Sequence, residues 1–528
     1  MEYLFVLIIS IVIFTFVLTK QKHKNSAVEN RTLDLEKTLS SKEERVNTQH
    51  LMKLNFLFIF LFSIFSFSGV SQTSYVSTWG DDLNGNGSVT NPYKTIQQAA
   101  TLATEVLLME GIYHEQQMLN GLNNLTVKPV PGDNVVFNGT ELIQDIWIQH
   151  SGNVYKTTLT KDIWQLFIDD EEQIMARWPN TTFTNDIIYD NDTWGHSLGL
   201  DPDGVVNDLT DISGLSEETK ELSDFSNNDI SEAIIVANFN SFRTKVRRVK
   251  TTGLDTPNKK FEYDVIGEGY KDKHHYYFLE KKLVFLDSDN EWFYDKVTKT
   301  LYAWSANGTG TDLNGAHIKG KVQTFAVNFT NCANVTFEGF KFFSTTVTIQ
   351  NSSTVHVKNN VFSYPNYSRR MIEDQVSPYD ISPFVTNIDQ NLITGHLPSN
   401  GSSTNCTFSE NVFEYTDGEA LLLGGNTHFV SNNYFHHIDW SCAETQGLGL
   451  SIYAKGADLT FDHNIMHTLG ASSALNLGER AIVLYNDISN TGLCQSDGAI
   501  LQITKSIVES TETAYYDATN LNSLILQL

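Results

Sequence analysis

The residues best placed for chemistry are carboxylates beside glycine or at strand ends. Asp497 lies in the run Ser496-Asp497-Gly498-Ala499-Ile500, at the lip of an apolar segment. Asp417 and Glu419 share TDGEALLLGG. Asp439 follows a histidine pair in HHIDWSC, with Glu444 just beyond, and Glu479-Arg480 opens the run AIVLYN. A glycine neighbour leaves a carboxylate open to a bulky substrate. Two such acids, one to protonate a leaving oxygen and one to act as nucleophile or base, are what cleavage of a glycosidic bond demands. The bland counterpart is an Asx-turn that only shapes the backbone, or a solvated surface acid. Asp497, Asp439 and Glu419 are the catalytic candidates. Asp462, inside a repeat, reads as structural.

Histidines gather in the same stretch: His436, His437, His463 and His467. An imidazole near a carboxylate can trade protons or contact substrate. Zinc ligation needs clearer spacing than HHID supplies, so no metal site is expected. Trp440, Tyr434 and Tyr453 offer aromatic faces against which the C–H faces of pyranose rings stack, or else they pack the core. His437, Trp440, Tyr453, His467 and Arg480 are the substrate-binding candidates.

Positioning these groups requires a scaffold, and the sequence from 321 onward supplies a repeat. Its unit is a β-branched or aromatic pair, a polar step, then Asn-x-apolar. It reads NVTFEGFKF, TVHVKNNVF, NCTFSENVF, HFVSNNYF, DLTFDHNIM and AIVLYNDI. The closing apolar residues are Phe342, Phe362, Phe413, Phe435, Met466 and Ile488, spaced by 20, 51, 22, 31 and 22. The two long steps read as one coil plus an inserted loop. The LxxLxL pattern of leucine-rich repeats is absent. A right-handed parallel β-helix fits: an all-β solenoid with Val, Ile and Phe stacked inside and Asn stacked on Asn at each bend. Asn tolerates left-handed backbone, whereas Pro would remove ladder donors. The 46 Asn against 10 Pro follow from that.

Upstream, Thr95 caps a short helix whose Ile96, Ala99, Ala100 and Ala103 share a face. Strand-length pieces follow: VLLMEGIY, NLTVKPV and NVVFNGT. Residues 140–320 are richer in Asp, Trp and Tyr and read as an inserted β-rich module. Strands are predicted at Trp164–Ile168 and Lys282–Leu286, and hairpins in DEEQIMARWPN and NEWFYDKVTKTLYAW. The divisions are thus 73–139 (opening coils and cap), 140–320 (insertion) and 321–528 (repeats).

Two apolar runs lie at the N-terminus. Leu4–Leu18, followed by Lys20, Lys22 and Lys24, suits a membrane segment with a cytoplasmic positive flank. Residues 52–72 have a signal-peptide layout, so Met52 is expected to be the start, with 1–51 an upstream extension. Export to the periplasm, cell surface or medium follows. The formal charge of −26 repels nucleic acid and anionic membranes. Membrane contact is expected only through 4–18, and the chain is expected to be a monomer. Cys332, Cys406, Cys442 and Cys494 show no CxxC spacing and read as buried thiols.

The opening run YVSTWGDDLNGNGSVTNPYKTIQQA, with GIYHE and NVVFNGT after it, resembles the N-terminus of right-handed parallel β-helix proteins of the pectin-lyase-like superfamily. ARWPN and NEWFYDKVTKTLYAW resemble exported proteins near glycoside hydrolase family one hundred and forty-one. The resemblance implies a polysaccharide or oligosaccharide substrate, hydrolysis without a cofactor, and Asp497 as one of two carboxylates. Its SDGAI segment is one glycine short of the family's Asp-Gly-Gly-Ala-Ile. The second carboxylate is expected past Leu528, so the repeats read as incomplete at their C-terminus. Two alternatives stay open. A calcium-assisted polysaccharide lyase would enlist Lys455 and Arg480, although GEALLLGGNTHFVSNN has Gly425 where such lyases carry Lys. A non-catalytic carbohydrate-binding or surface protein is the other.

Overall fold

The computed structural model describes residues 73–528 except 145, 202–203, 216–218, 241–242, 265–274, 368–369, 373–402, 444–446, 449, 455, 496–497, 504–514 and 518–528. The apolar runs at 4–18 and 52–72 lie outside the described residues. Among the described residues no helix is long and apolar enough to cross a membrane. The described residues belong to one unit, Ser71–Leu528.

The protein is mostly β, and its long sheets are parallel. A ten-stranded sheet runs Thr73–Val76, Glu105–Leu108, Asn123–Pro129, Ala333–Glu338, Ser353–Lys358, Thr407–Ser409, Phe429–Ser431, Thr460–Asp462, Ile482–Leu484 and Tyr515–Asp517. An eight-stranded sheet begins at Gly111–Tyr113 and Val135–Asn138. It continues through Lys341–Phe343, Val361–Ser363, Val412–Thr416, Tyr434–Ile438, Ile465–Leu469 and Asp487–Ile488. A third direction is taken by Leu421–Leu423, Leu450–Ala454, Ser473–Leu477 and Leu501–Ile503, and earlier by Gln117–Asn120, Phe325–Thr330 and Thr346–Gln350.

Register follows the closing apolar residue of each repeat. Phe342 pairs with Phe362, Phe362 with Phe413, Phe413 with Phe435, Phe435 with Met466 and Met466 with Ile488. Their rings stack: centroids lie 4.5 Å apart for Phe342–Phe362, and 4.9 Å for both Phe362–Phe413 and Phe413–Phe435. Phe137 extends the column to the opening coils at 5.1 Å. All are buried, with Val335, Val357, Phe408, Val430 and Phe461 facing them from the ten-stranded sheet.

Between the two sheets a buried asparagine ladder satisfies the bend. Asn360 N–H donates to Asn411 Oδ1 (3.0 Å), Asn411 N–H to Asn433 Oδ1 (3.0 Å), Asn433 N–H to Asn464 Oδ1 (2.9 Å) and Asn464 N–H to Asn486 Oδ1 (2.8 Å). The side-chain amide of each rung also donates to the next rung's oxygen, at 3.0–3.1 Å. These groups would otherwise be unpaired in the interior. The left-handed residue is the one before each rung: Asn359, Glu410, Asn432, His463 and Tyr485.

From Thr140 to Lys321 the pairing turns mainly antiparallel, with Ile174–Met175 parallel to Glu291–Trp292. Even so, Ala333–Glu338 continues the sheet directly on Asn123–Pro129. Glu291–Asp295 and Thr300–Trp304 form the hairpin read in NEWFYDKVTKTLYAW. DEEQIMARWPN is not one hairpin. Glu171–Glu172 folds back on Leu166–Ile168, Ile174–Met175 joins Glu291 and Trp292, and Arg177–Trp178 joins Leu279 and Glu280. Lys282–Leu286, expected as a strand, holds a single 3-10 turn, Leu283–Phe285. Ile96–Ala99 forms the expected helix, with Thr95 Oγ1 accepting from Gln98 N at 3.2 Å.

The antiparallel segment packs on the turns that leave the eight-stranded sheet. Trp292, Tyr189 and Trp194 share one buried cluster with Tyr367, Met371, Trp440, Cys442, Ala471 and Cys494. Gln495 Nε2 donates to Thr244 Oγ1 at 2.7 Å, and Arg243–Thr244 pairs with Gly447–Leu448. All four cysteines are buried and free.

Candidate functional site

One residue after the stacked Phe column, side chains of the eight-stranded sheet point outward. The register aligns Ser363, Glu414, His436 and His467 in one row. The next residue in each of these strands or at its end has left-handed backbone: Tyr364, Tyr415, His437 and Thr468, with φ between 55° and 58°. Such a φ is rare for bulky residues and marks a local constraint. Along this row Tyr364 stacks on Tyr415 at 5.5 Å and Tyr415 lies 5.0 Å from His437.

Within this surface a chain of polar contacts runs from the sheet to the antiparallel segment. Ser363 Oγ donates to Glu414 Oε1 at 2.5 Å. Glu414 Oε2 lies 3.1 Å from His436 Nε2. His436 Nδ1 meets His437 Nδ1 at 2.7 Å. His437 Nε2 lies 3.0 Å from Oδ1 of Asp186, which sits in the 3-10 segment Thr184–Tyr189 with φ +60°. Burial pushes the Glu414 carboxyl up, but the bonds from His436 and Ser363 outweigh it and hold the group below the usual carboxylate range. Burial also lowers His437, against the pull of Asp186. His467 is lowered by burial and by His436. Its Nε2 meets Tyr434 Oη at 2.5 Å and its Nδ1 meets Thr468 Oγ1 at 3.0 Å.

A cleft of about 320 Å³ opens beside this chain, lined by Asp186, Tyr189, Asp190, Thr468, Asn490 and Leu493. Tyr415 and Tyr434 stay more than a third exposed nearby, their rings 5.4 Å and 4.7 Å from His436. The arrangement provides aromatic faces, two carboxylates and a proton path between them.

The expected residues fall in several places. His437 and His467 belong to this site. Asp497 lies outside the described residues, as do Glu444 and Lys455. Asp439 is buried, and its Oδ1 accepts from Cys442 N at 2.9 Å in a tight turn with φ +60°. Glu419 is buried against Asn366, whose Nδ2 lies 3.5 Å from Glu419 Oε2. Trp440 is buried between Phe183 and Tyr367, under the Arg370 guanidinium. Tyr453 is buried on the third sheet direction, paired with Leu422 and Asn476. Arg480 is exposed and gripped by Asp458 at 2.7 Å and 2.9 Å, with Glu479 at 3.0 Å. No group of three or more potential metal ligands occurs among the described residues.

Glu414, Tyr415 and Asp186 were not among the expected residues. Glu414 had a signal, since it follows Phe413 as His436 follows Phe435 and His467 follows Met466. Asp186 had none, because its partner His437 is 251 residues away.

No family model matches the chain, and no curated protein matches it. Among solved structures, the chain is similar to a glycoside hydrolase at 12% identity and TM-score 0.46, over 82% of this chain and 96% of that one. It is similar to XylC in complex with xylose at 16% identity and TM-score 0.41, over 79% and 63%. It is also similar to the GH136 lacto-N-biosidase of Eubacterium ramulus at 11% identity and TM-score 0.30, over 78% and 55%. None of the three is close enough to lend its chemistry to this chain.

Proposed function

We propose that the protein is an exported right-handed parallel β-helix, acting as a monomer to hydrolyse glycosidic bonds in a polysaccharide or oligosaccharide without a cofactor. The supporting observation is a cleft lined by Asp186, Tyr189 and Asp190, whose Asp186 is bridged through His437 and His436 to Glu414, with the rings of Tyr415 and Tyr434 against His436. Aromatic faces suit the apolar faces of sugar rings. Carboxylates connected to imidazoles suit proton delivery to a leaving oxygen. Asp497 enters this reading as one reacting carboxylate on the strength of the family resemblance alone. The acids Asp186 and Asp190 at the cleft disfavour a uronate, and Arg480 is already held by Asp458 and Glu479. Both points favour hydrolysis over a calcium-assisted lyase acting on acidic sugars.

The test is incubation of the purified chain with a panel of neutral and acidic polysaccharides. New reducing ends without ultraviolet absorbance from unsaturated uronates support hydrolysis. Absorbance would establish a lyase. Retention on immobilised glycans without any product would establish a binding protein instead.

A further inference from the structure

Three hydrogen bonds link Glu414, His436, His437 and Asp186. Each needs one proton on a ring nitrogen or on a carboxyl. Neutral imidazoles carry one N–H each, so two neutral rings between two carboxylates bring only two protons for three bonds. The Nδ1–Nδ1 contact makes the shortage explicit, because one nitrogen must donate there and both outer nitrogens face carboxylate oxygens. Hydrogen-bonding all three contacts therefore takes a third proton.

Its ends differ. Glu414 is half-buried and already receives a bond from Ser363. Asp186 is half-exposed and lines the cleft. Burial disfavours charge on His437 in the middle. His467 lies 5.6 Å from His436 and 6.0 Å from His437, where a second added charge would be repelled. Tyr415, Tyr434 and Tyr189 pack around the rings, and Asp190 shares the cleft.

We propose that Asp186, reaching over from the antiparallel segment, is the proton-donating carboxyl of this cleft, and that His437 and His436 position it and hold its proton. The proposal rests on the hydrolytic reading above. In the reaction, the Asp186 carboxyl gives its proton to the glycosidic oxygen as the bond from that oxygen to the anomeric carbon breaks, the electron pair passing to the oxygen. Water supplies hydroxide to the anomeric carbon, and its remaining proton restores the chain.

Two measurements on the full chain decide it. In the first, histidine ¹⁵N resonances are followed through a pH titration of the wild type and of Asp186→Asn. The wild-type pair should carry one proton beyond two neutral rings and release it in a single step. In Asp186→Asn the step should move at least one pH unit lower, because the shared proton loses the carboxyl that takes part in holding it. Two rings that titrate independently, unchanged by the substitution, would overturn the shared proton whatever the enzyme hydrolyses. In the second, 4-nitrophenyl glycosides are compared with alkyl glycosides of the same sugars. Asp186→Asn should lose about 100-fold or more in turnover of alkyl glycosides, but much less for 4-nitrophenyl glycosides, whose leaving group needs no proton. His436→Gln should shift the basic limb of the pH profile. Equal loss on both substrate classes would overturn the donor role. A wild type inactive on both would overturn the hydrolytic reading and the donor role together, while leaving the titration to decide the proton chain.

Discussion

Arg370 grips both oxygens of Glu280, through Nε at 2.9 Å and Nη2 at 3.2 Å, in a site where neither side chain is exposed. The same guanidinium lies 3.2 Å from Asp417, at the turn leaving the eight-stranded sheet. Glu280 belongs to the antiparallel segment. The pair therefore ties that segment to the turn that follows Val412–Thr416. Removing one member of a buried pair leaves an uncompensated charge. Arg370→Ala should cost about 3–5 kcal/mol in denaturant unfolding. Arg370→Lys should cost less, since one charge remains but the two-pronged grip is lost.

The asparagine ladder predicts a loss out of proportion to side-chain size. Asn433 Oδ1 accepts from both nitrogens of Asn411, while its Nδ2 donates to Phe408 O at 2.8 Å and to Asn464. Asn433→Ala strands several buried groups, at about 1–3 kcal/mol for each one left unsatisfied. Denaturation should show a drop well above that of Asn228→Ala, an exposed asparagine in the short helix Asn227–Ile230, used as the control.

The ring column should respond to volume. Phe413 sits between Phe362 and Phe435, both 4.9 Å away. Phe413→Ala should cost about 3–5 kcal/mol, and Phe413→Leu clearly less, because the cavity left behind is smaller.

Stability should fall with acid around His428. This ring is buried, with Nδ1 accepting from Cys406 N at 3.2 Å and Nε2 2.6 Å from Gly424 O. Burial holds its pKa below the ordinary value of 6.5. The folded ring stays neutral where the unfolded ring has begun to bind a proton. Stability attributable to His428 is thus full above about pH 6.5 and falls as pH drops from there toward the folded pKa. Melting temperatures measured from pH 7.5 to 5 should decline, and the decline should be shallower in His428→Gln.

Tyr415 offers a test of the surface itself. It is 39% exposed and stacks on Tyr364. Tyr415→Ala should weaken retention on whichever polysaccharide the protein recognises by about tenfold, equivalent to about 1.4 kcal/mol. The melting temperature should change little.

The parallel β pairing was legible because its strongest signal is one-dimensional. Phe342, Phe362, Phe413, Phe435, Met466 and Ile488 pair in the row that their spacing predicts, and the Asn two positions before each of the last five forms the ladder. Repeat position alone decides what those residues touch. The site was half legible. His437 and His467 carry repeat positions, and so does Glu414, which the same alignment would have exposed. Asp186 and Trp440 depend on the antiparallel segment folding back over the turns, a contact spanning hundreds of residues. That covering buries Trp440 instead of offering its face to a ligand. Nothing local in HHIDWSC distinguishes an acid that bonds Cys442 from one that faces solvent.

The ladder has a direction. Every rung accepts from the coil before it, so the bend at Asn360 is completed only by Asn411, that at Asn411 by Asn433, and that at Asn433 by Asn464. A ribosome delivers the repeats in the opposite sense to that dependence. Each newly made bend must wait, its amide unsatisfied, until a further 51, 22 or 31 residues have emerged. The growing chain therefore always carries one unfinished repeat at its leading edge, and a pause there would leave that repeat's strand edges exposed to other chains.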